Sequence, residues 1–340
     1  MQHNDNSKRK KNIHDFQSQH FSTKNLTFIF QLQPDRHLPF IFTEKDLYVE
    51  YRKFGKSEFD VSVIGFGAGH IGDPGQADNE VDKLLNGAAD AEITLFDTAR
   101  GYGLSEERIG KFLKHRRNDI ILSTKIGYSI PGYEDWTYDC ITAGVETALK
   151  LLQTEYIDIV HLHSCPLWIL QKGDVTNALL AAKQAGKIRA AAYSGENDEL
   201  NFAIHSNVFD SVQTSMNVFD QRSTRWYIPE AHKHQLGVIA KRPVGNCAWQ
   251  FSERPVGQYA EDYWVRMKTM EFDFGEDWMQ TALRFAAFHT GAHSLIIGTS
   301  KLGHLLANSK LLNAGPLPIN IVEYITSRFS PHEQEWSGLI

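Results

Sequence analysis

The feature that most constrains the fold of this chain is a regular alternation between short apolar runs and longer amphipathic segments. From these runs we predict eight β-strands, at residues 61–66, 93–97, 119–125, 156–163, 187–194, 210–215, 237–242 and 293–298. Apolar strands that alternate with helical segments are typical of a parallel sheet covered by helices. Eight such units in one chain predict an α/β fold in which the sheet closes into a (β/α)8 TIM barrel.

The segments around the strands carry signals of their own. We predict helices at 78–90, 139–152, 174–184, 276–289 and 301–313, and we expect Asp139 to cap the second of them. Ahead of the first strand, Gly55–Lys56 indicates the turn of a short N-terminal β-hairpin, which we expect at the bottom of the barrel. Residues 1–47 contain a basic run and no clear apolar period. We therefore expect a poorly ordered N-terminal extension at 1–47 and one barrel domain at 48–340.

The composition argues against several classes of partner. The net charge is −6 and the pI is about 6.2, values that favour neither nucleic acid nor a membrane surface. No apolar run approaches the roughly 18 residues that a membrane span requires. The three cysteines are scattered and form no CxxC pair, which is typical of a reducing compartment. We therefore expect a cytoplasmic protein that acts on a small molecule.

Titratable residues occur where three of the predicted strands end. Asp97 ends one strand, Tyr102 follows in a glycine-flanked loop, and Lys125 and His163 end the next two strands. A parallel barrel brings the C-terminal ends of its strands together, so we expect the four side chains to share one site. An ammonium stabilises a phenolate, a carboxylate holds the ammonium, and an imidazole can bind a carbonyl oxygen. The set is suited to protonating a carbonyl oxygen while a cofactor delivers hydride to the carbon.

Two motifs suggest other functions. Gly67–Gly72 matches the dinucleotide fingerprint GxGxxG, but Asp73-Pro74-Gly75 follows at once and would interrupt the helix that the fingerprint opens. These glycines would instead let the first loop pass close to a ligand. His161 and His163 have the spacing of two metal ligands, as in metal-dependent barrel hydrolases, yet the later strands end in residues that bind metals poorly. A packed histidine pair is the remaining alternative, and we predict no metal ligand.

From about Tyr51 to the C-terminus, the sequence resembles the aldo-keto reductase family. The segments that carry the likeness are RKFGKSEFDVSVIGFG, FDTARGYGLSEERIG, STKIG, YIDIVHLH, GKIRAAAYSGEN, VQTSMN and IIGTSKLGHLLAN. The resemblance implies a (β/α)8 barrel that binds NADP, with NAD possible, and that has no doubly wound domain. It implies that Tyr102 is the general acid, that Lys125 activates it and that Asp97 holds the lysine. His163 falls on the histidine that orients the carbonyl group.

The resemblance also implies a set of cofactor-binding residues. Ser194, Asn197 and Gln213 fall on the positions that hold the nicotinamide amide, although Gly195 and Glu196 intervene between the first two. The motifs of the seventh and eighth strands supply the remaining positions, which are Lys241, Arg242, Gly298, Thr299, Ser300, Lys301, His304 and Asn308.

The sequence departs from the family pattern at several of these positions. Lys241 stands where an aromatic ring often stacks on the nicotinamide, and Ala307 replaces a frequent acidic residue near the adenine. His304 stands where an arginine often clamps the 2′-phosphate, and a histidine binds phosphate less well than the arginine fork. We therefore expect weaker NADP binding or a tolerance of NAD, with Lys301 as a compensating cation. The extension at 1–47 has no counterpart in the family.

These observations predict an NAD(P)-dependent oxidoreductase that interconverts carbonyl compounds and alcohols. The alternative is a slow or non-catalytic NADP-binding regulatory subunit, since some proteins of this barrel type act as subunits of ion channels. Residues 243–275 are rich in aromatic side chains, which indicates either a pocket for an apolar or ring-bearing substrate or a loop packed on the barrel rim. These aromatic residues are Trp249, Phe251, Tyr259, Trp264, Phe272 and Phe274.

Overall fold

The computed structural model describes residues 49–271 and 273–339, apart from the side chain of residue 276. The strands in this part of the chain are β1 (Tyr51–Lys53), β2 (Asp60–Ser62), β3 (Ile64–Gly67), β4 (Leu95–Asp97), β5 (Ile121–Ile126), β6 (Ile157–His163), β7 (Ile188–Ser194), β8 (Ser211–Ser215), β9 (Gly237–Lys241) and β10 (Ser294–Gly298). Strands β3 to β10 form a closed parallel barrel, in which each strand pairs with the next and β10 returns to β3. The predicted (β/α)8 barrel is confirmed. The extension at 1–47 lies outside the described residues.

Helices cover the outside of the barrel. They are α1 (Asp78–Asp90), α2 (Ser105–Leu113), α3 (Tyr138–Leu152), α4 (Leu167–Leu170), α5 (Asp174–Gln184), α6 (Asn197–His205), α7 (Arg222–Trp226), α8 (Ile228–Lys233), α9 (Glu261–Met270), α10 (Trp278–His289), α11 (Leu302–Leu312) and α12 (Ile319–Phe329). Each long helix buries one apolar stripe against the sheet, as Val81, Leu84 and Leu85 do in α1. Among the described residues, no helix has the length and apolar character that crossing a bilayer requires.

Two local predictions differ from the structure. The predicted strand 61–66 is two elements, because Val63 separates the second hairpin strand from the first barrel strand. The cap of α3 is Thr137 rather than Asp139: the Thr137 hydroxyl accepts a hydrogen bond from the backbone N–H of Cys140 at 3.1 Å. Residues 61–66 are all compatible with a strand, so the apolar pattern does not show that the hairpin strand ends at Ser62. Threonine and aspartate both cap helices, so residue type alone does not show whether Thr137 or Asp139 caps α3.

The N-terminal hairpin closes the bottom of the barrel. β1 pairs antiparallel with β2, and Gly55 in the turn between them has a φ of +54°. Phe54 and Phe59 stack at 5.6 Å and join Leu95 and Ile159 in an apolar cluster inside the barrel. Gly237 opens β9, and a side chain there would overlap the Phe54 ring. The hairpin therefore fills the end of the barrel opposite to the polar strand ends, which leaves the C-terminal ends of the strands as the place for a site.

Candidate active site

Asp97 and Lys125 lie on the adjacent strands β4 and β5 and form a buried ion pair. Lys125 Nζ lies 2.5 Å from Asp97 Oδ2 and also donates to the backbone carbonyl of Thr98 at 2.8 Å. The two side chains are only 4% and 3% exposed. Burial opposes the charge on Lys125, but the negative charge of Asp97 outweighs the effect of burial and raises the pKa of the ammonium. The neighbouring Tyr102 adds to the effect of Asp97. The lysine is therefore a fixed positive charge at neutral pH.

Tyr102 lies beside this ion pair, in the loop between β4 and α2. Lys125 Nζ is 5.2 Å from the centre of the Tyr102 ring, and the His163 ring meets that ring edge to face at 6.1 Å. The structure thus brings together all four residues that the strand ends predicted.

The GxGxxG motif supports the Tyr102 loop. The motif leads into a short turn at His70–Gly72, and no α-helix opens on it, since α1 begins only at Asp78. The carbonyl oxygen of Gly72 accepts a hydrogen bond from the backbone N–H of Leu104 at 3.0 Å. A Cβ on Gly72 would overlap the carbonyl oxygen of Tyr102. Gly72 is therefore needed for the close approach of two backbone segments, and through that contact it fixes the position of Tyr102.

His163 ends β6 and is paired with a second tyrosine. Its Nδ1 lies 2.7 Å from the hydroxyl of Tyr128, and the two rings stack at 5.6 Å with an interplanar angle of 24°. Burial lowers the pKa of His163 well below its ordinary value, and the charges on Lys125 and Lys241 lower it further. The imidazole is therefore neutral at physiological pH. Tyr128 was not predicted from the sequence, although it lies in a glycine-containing loop just after Lys125, as Tyr102 does after Asp97.

A layer of polar side chains inside the barrel supports Asp97. Ser123 Oγ donates to Asp97 Oδ1 at 2.8 Å and lies 3.1 Å from Nε2 of His161. Gln213 Nε2 donates to the same carboxylate oxygen at 3.0 Å. His161 is fully buried, and this burial lowers its pKa to about 3. Ser123 was not predicted from the sequence, although it lies two residues before Lys125 and so shares its face of the strand.

Two of the predicted cofactor residues lie next to the candidate catalytic residues. Ser194 ends β7, Gln213 lies on the neighbouring strand β8, and the Ser194 hydroxyl donates to Gln213 Oε1 at 2.9 Å. Both side chains are buried. Because Gln213 also donates to Asp97, the predicted amide-binding pair and the ion pair of Asp97 and Lys125 belong to one hydrogen-bond network.

The intervening Glu196 and the departure at Lys241 are partners in the structure. The intervening Glu196 is buried, and its Oε1 lies 3.1 Å from Nζ of Lys241, the residue found in place of the aromatic ring. The backbone N–H of Ser215 donates to the same oxygen at 2.8 Å, and the Thr214 hydroxyl donates to the other oxygen. Burial lowers the pKa of Lys241, and the negative charge of Glu196 partly offsets this effect. Each charged side chain thus compensates the burial of the other.

Asn197 and Arg242 bind the segment near the C-terminus. Asn197 Nδ2 donates to the carbonyl of Gly338 at 3.1 Å, and the Gly338 N–H donates to Asn197 Oδ1 at 2.7 Å. Arg242 Nη1 donates to the carbonyl of Leu339 at 2.6 Å. The structure therefore does not place Asn197 in the hydrogen-bonded pair formed by Ser194 and Gln213, and a role of Asn197 and Arg242 in cofactor binding stays a prediction.

The remaining predicted cofactor residues lie on the loop after β10 and on α11. Thr299 is buried, and its hydroxyl oxygen accepts a hydrogen bond from the Lys301 N–H at 3.1 Å. Burial, together with the charge on Lys301, lowers the pKa of the half-buried His304. Lys301 precedes the N-terminus of α11, where free N–H groups favour a phosphate. The exposed residues of this set are Gly298, Ser300 and Lys301, and Asn308 is half-buried.

Most of the aromatic residues after β9 pack against the barrel rim. Trp249 stacks on Trp278 at 5.2 Å with an interplanar angle of 5°, and Nε1 of Trp264 donates to the carbonyl of Phe251 at 2.9 Å. Trp249, Phe251, Trp264 and Phe274 all lie on an apolar cluster formed with α9, α10 and α12. Tyr259 is exposed and lies 5.8 Å from the Arg242 guanidinium, and Phe272 is outside the described residues. Four of the six aromatic rings therefore fit the alternative of a loop packed on the barrel rim.

Comparisons with known proteins agree with this geometry. The family model described as the aldo/keto reductase family matches residues 63–328. An oxidoreductase of Bacillus subtilis, YqkF, is 30% identical over 288 residues, which cover 77% of this chain and 91% of that protein. The holo form of the aldo-keto reductase AKR11C1 from Bacillus halodurans superposes with a TM-score of 0.71 at 26% identity, over 83% of this chain and 96% of the other. A rice protein described as a probable voltage-gated potassium channel subunit beta is 24% identical, over 79% of this chain and 93% of its own length.

Proposed function

The chain belongs to the aldo/keto reductase family, and we propose that it interconverts carbonyl compounds and alcohols with Tyr102 as the proton donor. The observation that carries this proposal is the buried ion pair of Asp97 and Lys125, which holds a positive charge 5.2 Å from the centre of the Tyr102 ring. A phenol beside a buried ammonium is suited to donating its proton, because the ammonium stabilises the phenolate that remains.

Each of the four residues has a distinct task in this proposal. Asp97 keeps Lys125 charged, and Lys125 stabilises the phenolate of Tyr102 after the proton has passed to the substrate oxygen. His163 is neutral, so one of its ring nitrogens can donate a hydrogen bond to the same oxygen without repelling Lys125. The two donors would hold the carbonyl group in place and stabilise the negative charge that develops on its oxygen.

The chain's residues fit a nicotinamide cofactor at two places. Ser194 and Gln213 offer a buried hydroxyl and amide next to Asp97, which suits the carboxamide of the nicotinamide. Thr299 and Lys301 at the start of α11 suit a phosphate group. When bound, the cofactor supplies the hydride that goes to the substrate carbon.

The exchange of Tyr102 for phenylalanine tests the proton donor. We expect Tyr102→Phe to lower kcat for a carbonyl substrate by about two to four orders of magnitude, the usual contribution of general acid catalysis. Its affinity for NADPH should stay close to that of the native protein. Tyr133→Phe, which removes an exposed hydroxyl, is the matched control and should keep full activity. A Tyr102→Phe protein that retains most of its turnover would overturn the assignment.

A titration with NADPH and NADH, followed by tryptophan fluorescence, tests the cofactor. We propose NADPH as the cofactor, with Lys301 as its main phosphate ligand and His304 as a weaker one. His304→Arg should then raise the affinity for NADPH about tenfold and leave that for NADH unchanged, because only the former carries the 2′-phosphate. Equal effects on the two cofactors would place the phosphate elsewhere.

A binding role without rapid turnover is the second candidate. The likeness to the rice channel subunit favours it, since that match covers most of both chains. It predicts NADPH binding with negligible turnover on a broad panel of aldehydes and ketones, and an unchanged rate in Tyr102→Phe. Measurable turnover that depends on Tyr102 would exclude this candidate.

A further inference from the structure

The hydroxyl of Tyr128 is hydrogen-bonded to His163, and the proposed reaction leaves this tyrosine without a task. It follows β5 in the loop that begins at Gly127, whose φ is +140°. A side chain at Gly127 would overlap the ring of Trp136, and the Tyr128 and Trp136 rings meet edge to face at 5.9 Å. The loop is therefore packed so that the hydroxyl of Tyr128 is held 2.7 Å from His163 Nδ1.

The direction of this hydrogen bond follows from the protonation of both partners. Burial, and then the neighbouring Tyr102, raises the pKa of Tyr128, so its hydroxyl keeps its proton. His163 is neutral, so one of its nitrogens accepts and the other donates. If Nδ1 donated to the phenol oxygen, the phenol proton would need another acceptor. Among the described residues, the hydrogen-bond partner of the Tyr128 hydroxyl is His163 Nδ1. The half-buried Tyr128 hydroxyl would lose a hydrogen bond if its proton found no acceptor, which favours donation from Tyr128 to Nδ1.

We propose that Tyr128 is a positioning residue that donates its hydroxyl proton to His163 Nδ1 and thereby fixes the proton of the imidazole on Nε2. This tautomer leaves Nε2–H as the donor for the oxygen of a carbonyl substrate. The consequence for the reaction rests on the proposed function, but the tautomer itself does not.

Nitrogen NMR of histidine-labelled protein tests the tautomer directly, with the His163 signal identified by its loss in His163→Gln. We expect a protonated Nε2 and an unprotonated Nδ1 in the native protein, and a mixture of tautomers or a protonated Nδ1 in Tyr128→Phe. That variant keeps the ring that packs on Trp136. The matched control is Tyr133→Phe, whose hydroxyl is exposed, and it should give the native spectrum. A protonated Nδ1 in the native protein, or a spectrum that Tyr128→Phe leaves unchanged, would overturn the proposal.

Kinetics separates this proposal from the proposed function. With a carbonyl substrate, we expect Tyr128→Phe to lower kcat/KM about tenfold, with no change in the affinity for NADPH. If the native protein shows the expected tautomer but no turnover at all, the proposed function fails and the role of Tyr128 in fixing the imidazole stands. If turnover is normal and Tyr128→Phe changes neither the rate nor the spectrum, the positioning role fails alone.

Three side chains that could bind a metal lie close together on the outside of the barrel. His205 ends α6, while Glu230 lies on α8 and His234 follows it one helical turn later. One donor atom from each residue lies within 4.8 Å of the other two. Two imidazoles and a carboxylate are a usual ligand set for Zn²⁺, with a fourth position left for water.

The second contact of His205 also suits a metal. His205 Nδ1 lies 2.9 Å from the carbonyl of Asn201, so Nδ1–H can donate there and leave Nε2 as the free ligand atom. The carboxylate of Glu230 is half-buried and forms an ion pair with Lys233. Lys233 lies 2.7 Å from that carboxylate and would have to release it. The geometry points to a Zn²⁺ site made by His205, Glu230 and His234.

Competition for Zn²⁺ with a chromogenic chelator tests this site on the full chain. We expect the native protein to bind one more Zn²⁺ than His234→Ala does at micromolar concentration, and the exposed His115→Ala, the matched control, to bind as the native protein does. Because α6 and α8 are joined by the metal, Zn²⁺ should raise the Tm of the native protein more than that of His234→Ala. Equal Zn²⁺ binding by the native protein and His234→Ala would overturn the site.

Discussion

The neutral, buried His161 should make the stability of the barrel depend on pH. Its side chain is fully buried, and burial lowers its pKa to about 3 from the ordinary value of 6.5, although the charge of Asp97 acts in the opposite direction. In the unfolded chain the same imidazole takes up a proton near pH 6.5. Between about pH 3 and pH 6.5 the unfolded state therefore binds one more proton than the folded state, so stability is lost as the pH falls through this window.

The magnitude follows from the width of the window. Each pH unit in which only the unfolded state is protonated costs about 1.4 kcal/mol. Going from neutral pH to pH 5 crosses about one and a half such units, which gives a loss of about 2 kcal/mol from His161 alone. His163 and His293, whose pKa values burial also lowers, add to the acid sensitivity of the native protein. The contribution of His161 is therefore best measured as a difference between two proteins.

Urea unfolding at pH 7 and at pH 5, followed by circular dichroism, measures this difference. His161→Gln keeps a polar atom close to the Ser123 hydroxyl but cannot take up the proton. We expect the free energy of unfolding to fall by about 2 kcal/mol less in His161→Gln than in the native protein over this interval. His115→Gln, at an exposed histidine, should fall as the native protein does. Equal losses in the native protein and His161→Gln would refute the reasoning, since they would mean that burial does not keep this imidazole neutral.

Two further predictions concern the packing that holds the site and the barrel. Gly72→Ala should lower kcat about a hundredfold, because its methyl group would displace the backbone of Tyr102, whereas Gly69→Ala, whose nearest neighbour is a Tyr102 ring carbon at 3.8 Å, should stay near native turnover. Phe54→Ala should lower the free energy of unfolding in urea by about 3–5 kcal/mol because it empties the closed end of the barrel, and Tyr51→Ala at an exposed position of the same hairpin should cost less than about 1 kcal/mol. Normal turnover in Gly72→Ala, or native stability in Phe54→Ala, would contradict these two explanations.

The fold and the four catalytic candidates could be predicted because they depend on periodicity and on the direction of the strands. Each apolar run was long enough to define a strand, and a parallel barrel places every strand's C-terminal end on the same side. That rule alone brought Asp97, Lys125 and His163 together without any knowledge of distances. The hydrophobic periodicity failed where two elements share one apolar run, as at 61–66. The pattern does not change there when the chain leaves the hairpin and enters the barrel.

The contacts between side chains on different strands could not be predicted in this way. Glu196 looked like part of a short insertion and Lys241 like an isolated departure, yet each explains the other, since a buried carboxylate is tolerated where a partly buried ammonium lies 3.1 Å away. Tyr128 was not predicted because a single tyrosine in a loop belongs to no sequence motif. Its role depends on a 2.7 Å contact with His163, which lies 35 positions later. The sequence thus identifies which residues face the site, whereas the chemistry of each one depends on its neighbours across the barrel. The test of Tyr128 therefore matters beyond this one residue, because it asks whether such a neighbour decides the protonation state on which the reaction depends.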